Sequence, residues 1–449
     1  MPTSSYGAAA HLQRLLGTSN DSLQVMLQRL EPKDPGQYPL PPRIPGATSA
    51  SDQAVNQRWE ILGAHGNGAV DSEGIGSAVD SPVHPSRPAL SPAGTAPLSV
   101  YARNIENVIG TVQLPVGVVG PLRINGSCAG GDYYVPLATT EAALVASYHR
   151  GAQLISEAGG CTTVLLAEGV SRAPGLIFET VAQAGAFIAW AVTQDEAFAL
   201  EASKTTRHGK LNRTRMTVEG NHVYLSFEFL TGDAAGQNMV TIATDAICAY
   251  IRAHSPVKPR SIFVEANLSS DKKASSQSFQ NVRGKKVCAE VIIPNDLIRK
   301  RLHTDAAAIG EYWVMTVMGG VISGTIGVQG HYANGLAALF IATGQDAACV
   351  SEAAVGITRF QQQEDGSLYA SVTLPNLIVG TVGGGTGLPT QSACLDILGL
   401  RGSGHARALA EVAAAIALAG ELSIVGALTA GQFTQAHRKL ARRDEKTSQ

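Results

Sequence analysis

The sequence predicts an α+β fold that carries a small α+β insert, and three observations lead there. From residue 176 to about 261 the pattern runs strand, helix, strand, helix: 177–181 is strand-like, 182–193 helical, 217–229 alternates like a strand, and a long helix closes at Arg252. Ahead of it, valines set between glycines and prolines in residues 114–122 read as a strand closely packed at its ends. Residues 135–140 then lead into a helix over 142–150. Near the C-terminus, residues 408–430 form a strongly apolar helix that stops at Gly431.

Composition narrows the class. Hydrophobic residues make up 45% of the 449-residue chain and charged ones only 16%, so much surface has to be hidden in a large core or between subunits, and an oligomer is expected. A net charge of −2 supplies no basic field for nucleic acid or an anionic membrane. The six cysteines (Cys128, Cys161, Cys248, Cys288, Cys349, Cys394) lack any CxxC spacing, which argues for free thiols in a reducing, cytoplasmic setting and against a metal. Residues 1–20 lack the pattern of a secretory signal. The charge-free run 312–328 is broken by four glycines and meets His331 and Asn334 directly, so it reads as buried core and not as a membrane span.

Taken in order, residues 1–97 are proline-rich and read as a wrapping or tethering region without chemistry of their own. Thr139 and Thr140 before an alanine-rich run mark a helix start, which puts Glu141 in a first turn where the helix dipole favours a carboxylate. Arg150 lies nine residues on and out of phase, so it should meet a different partner. The loop 232–236 before a helix offers backbone N–H groups to an anion such as a dinucleotide pyrophosphate, although an ordinary strand-to-helix turn has the same composition. Arg207 and Arg213 stand nearby in a basic run that is equally consistent with a solvated loop.

The stretch Leu268-Ser269-Ser270-Asp271-Lys272-Lys273 follows, then the basic run Arg283-Gly284-Lys285-Lys286. A lysine held behind an aspartate can supply fixed positive charge where an oxyanion develops. A solvated basic turn is the bland alternative. Asp346 falls in an apolar helical stretch, where an unpaired carboxylate is costly to bury, so it is a site candidate. The glycine-rich turn 379–387 lets backbone approach a ligand closely. His437 stands in a polar tail, where a lone histidine is ordinarily just exposed.

Glu141, Lys272, Asp346 and His437 together form a set able to reduce an acyl group: a cation for the oxyanion, a carboxyl for protons, a histidine for a leaving thiolate. The strings ENVIG with LPVGVVGPL, ATTE, EGVSRAPG, TGDAAGQNM, SSDKK, GQDAA, IVGTVGGGTGLPTQ, AGELS and GQFTQAH occur in one order. In that order they resemble 3-hydroxy-3-methylglutaryl-CoA reductase, most closely the catalytic portion of its eukaryotic and archaeal class, over residues 104–437. The resemblance implies a two-step, four-electron reduction of the acyl-CoA to mevalonate with NADPH.

By the same resemblance Glu141 is the proton donor, Lys272 the oxyanion partner, Asp346 the residue tuning that pair, and His437 the acid for the CoA thiolate. Arg172, Asp271, Lys273, His331 and Asn334 match positions that hold the acyl substrate, and Ser147 and Arg150 positions at the CoA phosphates. Thr206, Arg207, Asp233, Ala234, Ala235, Gly236, Gln237, Asn238, Met239, Val382 and Gly383 match the dinucleotide site. The implied fold is a large, mainly helical substrate domain (98–174 and 263–430) with an inserted ferredoxin-like cofactor domain (175–262). Residues 1–97 precede it and a tail, 431–449, carries the histidine. Active sites are implied between the subunits of a homodimer or homotetramer.

The chain departs from the family's pattern at several places. Val314 and its neighbours replace a stretch with a lysine, Glu265 stands for a serine near the substrate, His149 for an asparagine, Ala142 for a glycine, and Arg443 for a tail serine that is phosphorylated in some members.

Overall fold

The computed structural model describes residues 51–54, 56, 57, 60 and 97–431. The chain divides into two units at residue 112. In the first, a 3-10 turn, Leu98–Tyr101, and the nearby Ala102 and Ile109 surround buried Val108.

The second unit opens with the antiparallel hairpin of β1 (Val116–Gly126) and β2 (Gly130–Ala138), followed by α1 (Leu144–Glu157), β3 (Cys161–Arg172) and β4 (Gly175–Ile177). Helices α2 (Val181–Ala191) and α3 (Asp195–Ser203) precede the hairpin of β5 (Lys210–Glu219) and β6 (His222–Leu230). Next come α4 (Gln237–His254), β7 (Ser261–Phe263), β8 (Gly284–Ile293), α5 (Asn295–Leu302), α6 (Ala306–Ser323), α7 (Tyr332–Thr343) and the single turn α8 (Val350–Ala353). Strands β9 (Ile357–Gln362) and β10 (Leu368–Leu377) and helices α9 (Pro389–Leu398) and α10 (Ala406–Thr429) complete it. Residues 217–229, expected as one strand, are parts of two: the chain reverses at Gly220, whose left-handed φ of 55° makes the two-residue turn.

All ten strands share one sheet of order β7-β4-β6-β3-β8-β10-β9, with β5 along the far edge of β6 and the β1–β2 hairpin joined at β3. Strand β3 is the splice. Most of its length pairs with β8, whereas Val170, Ser171 and Arg172 pair with β6. Pro174 interrupts the strand, its carbonyl accepting the Leu225 N–H, and β4 then continues along β6.

Two apolar cores flank this splice. The smaller is rich in aromatics, with Phe178, Phe187, Phe198, Phe227 and Phe229 fully buried among α2, α3, α4 and β6. The larger is organised on α10, which is buried over most of its length because alanine on nearly every face lets neighbours close in. At Gly151 of α1 an added Cβ would fall 1.9 Å from the Ala419 carbonyl of α10, so only glycine permits that crossing.

Two acids ride inside α10. Glu411 accepts from the Cys128 and Ala129 N–H groups at 3.0 and 2.7 Å and from the Ser127 and Thr163 hydroxyls. Glu421 accepts from the Gly330 and His331 N–H groups at 2.7 and 2.8 Å and from the Thr358 hydroxyl at 2.8 Å. A buried carboxylate is tolerable when its lone pairs are met in this way.

The run 312–328 departs from the expectation of buried core. Within α6 only Ala306 and Ile309 are buried, and Met315, Val321 and Ile322 are 71, 70 and 83% exposed. Absence of charge marks a helix that will be covered, but does not say by what. Among the described residues α6 and α10 are long and apolar enough to cross a membrane, and α10 is the core helix.

Because Glu411 is the acceptor for two backbone N–H groups in a dry site, Glu411→Ala should cost about 2–4 kcal/mol in urea unfolding. Glu364→Ala, at an exposed loop position, should stay within about 0.5 kcal/mol.

Candidate active site

The loop between β7 and β8 is held in an unusual backbone: Asn267, Ser270 and Lys272 all take positive φ, at 65°, 60° and 56°. Non-glycine residues seldom adopt that region unless their surroundings impose it. Here the imposing group is Asp271, whose carboxylate accepts from Arg172 at 2.9 Å and from Arg283. Burial works to raise the Asp271 carboxyl, but Arg283 and Arg172 together hold it below its ordinary pKa.

Arg283 is 4% exposed and divides its donors among Asp271, Glu352 at 2.6 Å, the Gln237 side-chain oxygen at 2.8 Å and the Ser171 carbonyl. Glu352, itself fully buried, also accepts the Lys272 backbone N–H at 3.2 Å. Burial raises the Glu352 carboxyl despite its arginine.

This platform presents Lys272, whose ammonium lies 2.8 Å from Asp346 Oδ2. Both side chains are 42% exposed, so the pair is open to a ligand. The hydrogen bond with Asp346 is the main reason the Lys272 pKa is raised. Asp346 was expected inside a helix. Instead α7 ends at Thr343 with a left-handed Gly344, and Asp346 accepts the Ala348 N–H at 3.0 Å as the cap of a short 3-10 turn. Lys273 turns back to donate to the Asp271 carbonyl at 2.9 Å.

Glu141 is carried by the link between β2 and α1. It was expected in a helical first turn, but left-handed Ala143 delays α1 to Leu144, and the Glu141 N–H is taken by the Thr139 hydroxyl at 3.0 Å. Its carboxylate accepts from the Asn334 amide at 3.0 and 3.2 Å. The two line a cleft of about 440 Å³ with Thr139, Thr140, Ile341 and Val350, the last being four residues past Asp346. Among the described residues no hydrogen bond or ion pair joins Glu141 to Lys272.

His331 stacks on Tyr148 with centroids 5.3 Å apart, and its Nδ1 lies 3.3 Å from Glu421. Ser147 and Arg150 do converge, on Ser423: the Ser147 hydroxyl at 2.9 Å, and Arg150 donating to its carbonyl at 2.7 Å and its hydroxyl at 2.9 Å. Arg150 and Glu141 have different partners, but Glu141 stands ahead of α1, so helical phase is not the reason.

The loop 232–236 and the turn 380–383 lie back to back. Thr381 N–H donates to the Asp233 carbonyl at 2.8 Å, Ala234 bridges Val382, and a Cβ on Gly380 would stand 2.5 Å from the Ala235 nitrogen. The Asp233 carboxylate accepts from Gly404 and Ala406 N–H groups at 2.7 and 3.2 Å, so it serves the start of α10. Gly236, left-handed at φ 78°, opens α4, while Gly383, at φ 76°, faces open space. Met239 packs on the turn where the Thr206 hydroxyl accepts the Gly209 N–H, and Arg207 and Asn238 are exposed beside it. Gln237 points the other way, donating to Cys349 Sγ at 2.9 Å and accepting from Arg283.

Sequence reasoning noted Arg283 and Lys285 only as members of a basic run, without a role, and did not mention Glu352. Lys285, 3% exposed, donates to the Val379 carbonyl at 3.1 Å and so sets the glycine turn, and burial lowers its pKa. Arg283, just before β8, and Lys285, within it, sit two apart, and both are buried. His437 lies outside the described residues.

A family comparison accords with this geometry. The profile of the hydroxymethylglutaryl-coenzyme A reductases matches residues 84–442. The 3-hydroxy-3-methylglutaryl-coenzyme A reductase of Pyrococcus horikoshii is 43% identical over 353 residues, covering 77% of this chain and 85% of that protein. That of Haloferax volcanii is 42% identical over 393 residues, covering 86% and 96%. Among solved structures, the class II 3-hydroxy-3-methylglutaryl-CoA reductase of Streptococcus pneumoniae bound to NADPH shares the fold, with a TM-score of 0.61 at 22% identity over 77% of this chain and 93% of that one. The chain is thus a member of the hydroxymethylglutaryl-coenzyme A reductase family.

Proposed function

We infer that the chain reduces 3-hydroxy-3-methylglutaryl-CoA to mevalonate and CoA in two steps and four electrons, with NADPH. The observation that carries the reading is the Lys272–Asp346 pair: an ammonium fixed 2.8 Å from a carboxylate, half open to solvent, on a loop held by buried arginines. A cation so placed stabilises the alkoxide that forms as a carbonyl is reduced. Asp346 keeps Lys272 protonated. Glu141, oriented by Asn334, gives its proton to the reduced oxygen. In the first step the thioester becomes a hemithioacetal. Its C–S bond then breaks, His437 protonates the departing thiolate, and the aldehyde is reduced in the second step.

Arg172, Asp271, Lys273, His331 and Asn334 hold the acyl part, and Ser147 and Arg150 the CoA phosphates. The dinucleotide falls to Thr206, Arg207, residues 233–239, Val382 and Gly383. What supports it is the start of an 18-residue helix at Gly236, the open Gly383 cradle and exposed Arg207, a set suited to an anion. When bound there, NADPH supplies the hydride of each reduction.

Residues 175–262 form the ferredoxin-like cofactor domain, within a substrate domain made of 98–174 and 263–430, with the tail 431–449 bringing His437. The order β4-α-β5-β6-α4-β7, with strands side by side as β7-β4-β6-β5, supports that assignment. The working form is a homodimer or homotetramer in the cytoplasm. Glu141 of one subunit faces Lys272 of another, a reading supported by the exposed apolar residues of α6.

Lys272→Ala should lower hydroxymethylglutaryl-CoA-dependent NADPH oxidation and thiol release by at least about 10²–10³-fold. Oxidation unaffected by that change would end the mechanistic assignment. Co-expressing inactive Glu141→Gln and Lys272→Ala subunits should restore roughly a quarter of wild-type turnover, because half the random dimers carry one intact site. A site completed within one chain would show no such recovery.

A further inference from the structure

Beside Lys272 the charges are counted out with no surplus. Arg172, Arg283 and Lys272 are paired with Glu265, Asp271, Asp346 and Glu352, and the fourth cation, Lys273, donates to the Asp271 backbone carbonyl, so four cations stand against four acids. Three of those acids have an evident structural duty: Asp271 and Glu352 hold the loop through Arg283, and Asp346 pairs the lysine. Glu265 has a different one. Its Oε2 lies 3.3 Å from Arg172 Nη1, on the same nitrogen that donates to Asp271, and Arg172 is only 7% exposed at its side chain. Two further donors fix this carboxylate in place, the Ala173 N–H at 3.2 Å and the Ser269 hydroxyl at 2.8 Å.

The pair is also incomplete in a way that has a sign. Glu265 Oε1 and Arg172 Nε are both buried and neither has a hydrogen-bond partner within the protein. An orphaned carboxylate oxygen calls for a donor, and an orphaned guanidinium N–H for an acceptor. A hydroxyl can donate to the first or accept from the second. A carboxylate meets only the second and is repelled by Glu265, and like charges brought together in a half-buried site are strongly disfavoured.

We propose that Glu265 is a specificity-determining residue that makes the acyl end of this site electrically neutral, so that it takes acyl-CoA thioesters with an uncharged, hydroxyl-bearing end alongside hydroxymethylglutaryl-CoA. The proposal rests on the reductase reading and on Arg172 lying at the acyl end. Replacing Glu265 leaves one cation in surplus and turns the site toward the anionic substrate.

The test compares hydroxymethylglutaryl-CoA with 3-hydroxy-3-methylbutyryl-CoA, which keeps the tertiary hydroxyl and lacks the carboxylate. Dissociation constants for both are measured by calorimetry on the full chain, as wild type, Glu265→Ser and Glu265→Gln. Wild type should bind the two within about tenfold, and both substitutions should move the ratio at least about tenfold toward the carboxylate. A ratio taken within each variant is unaffected by partial loss of folded protein, and Glu265→Gln keeps the side chain's shape. A wild-type preference for the carboxylate above about a hundredfold, or a ratio unmoved in both variants, overturns the proposal. NADPH oxidation followed in parallel separates the two readings: no turnover with either thioester sinks the reductase assignment, while the binding ratio still decides the role of Glu265.

Discussion

The buried contact between Arg283 and Glu352 is the constraint from which the rest of the site follows. Both side chains are buried, and Glu352 would be an isolated charge without Arg283. Because Arg283 has five N–H donors in a rigid fork, it reaches Asp271, Gln237 and the Ser171 carbonyl as well, and ties β3, the start of α4, the Lys272 loop and α8 to one point. The positive-φ backbone at Lys272 is stable only because that point is fixed. An exposed, strained lysine on buried, unstrained supports is how a protein keeps a cation in position while leaving it free for a ligand.

The larger features were legible in the sequence because they are periodic or punctuated. The apolar helix at 406–429, the strand and helix alternation of the insert, and the glycine turns at 232–236 and 379–387 all leave marks that local rules read. Lys272 and Asp346 were found as unusual charges in small or apolar surroundings, and they do meet. Long-range placement was not legible. Nothing local distinguishes a basic run that is solvated from one whose alternate members turn inward, so Arg283 and Lys285 went unremarked as buried groups. Gln237 matched a cofactor motif by position, yet its side chain is turned to Arg283 and Cys349.

Helix boundaries failed for a related reason. Glu141 and Asp346 were both placed in helices by their alanine-rich neighbours. Both instead stand in the short non-helical links beside left-handed Ala143 and Gly344, where a carboxylate can point across a cleft. The misreading of α6 is of another kind: an apolar helix implies a covering surface, and the described residues do not supply it.

The splice in β3 bears on motion. A cofactor-carrying lobe joined to its host by a flexible tether could swing open like a door. Here backbone pairing passes from β8 through β3 to β6, with one register shift between Leu165 and Ala167 and a short gap at Pro174 before β4. Shearing the two sides of the splice apart would tear sheet hydrogen bonds, so the compliant coordinate left is torsion along the strand.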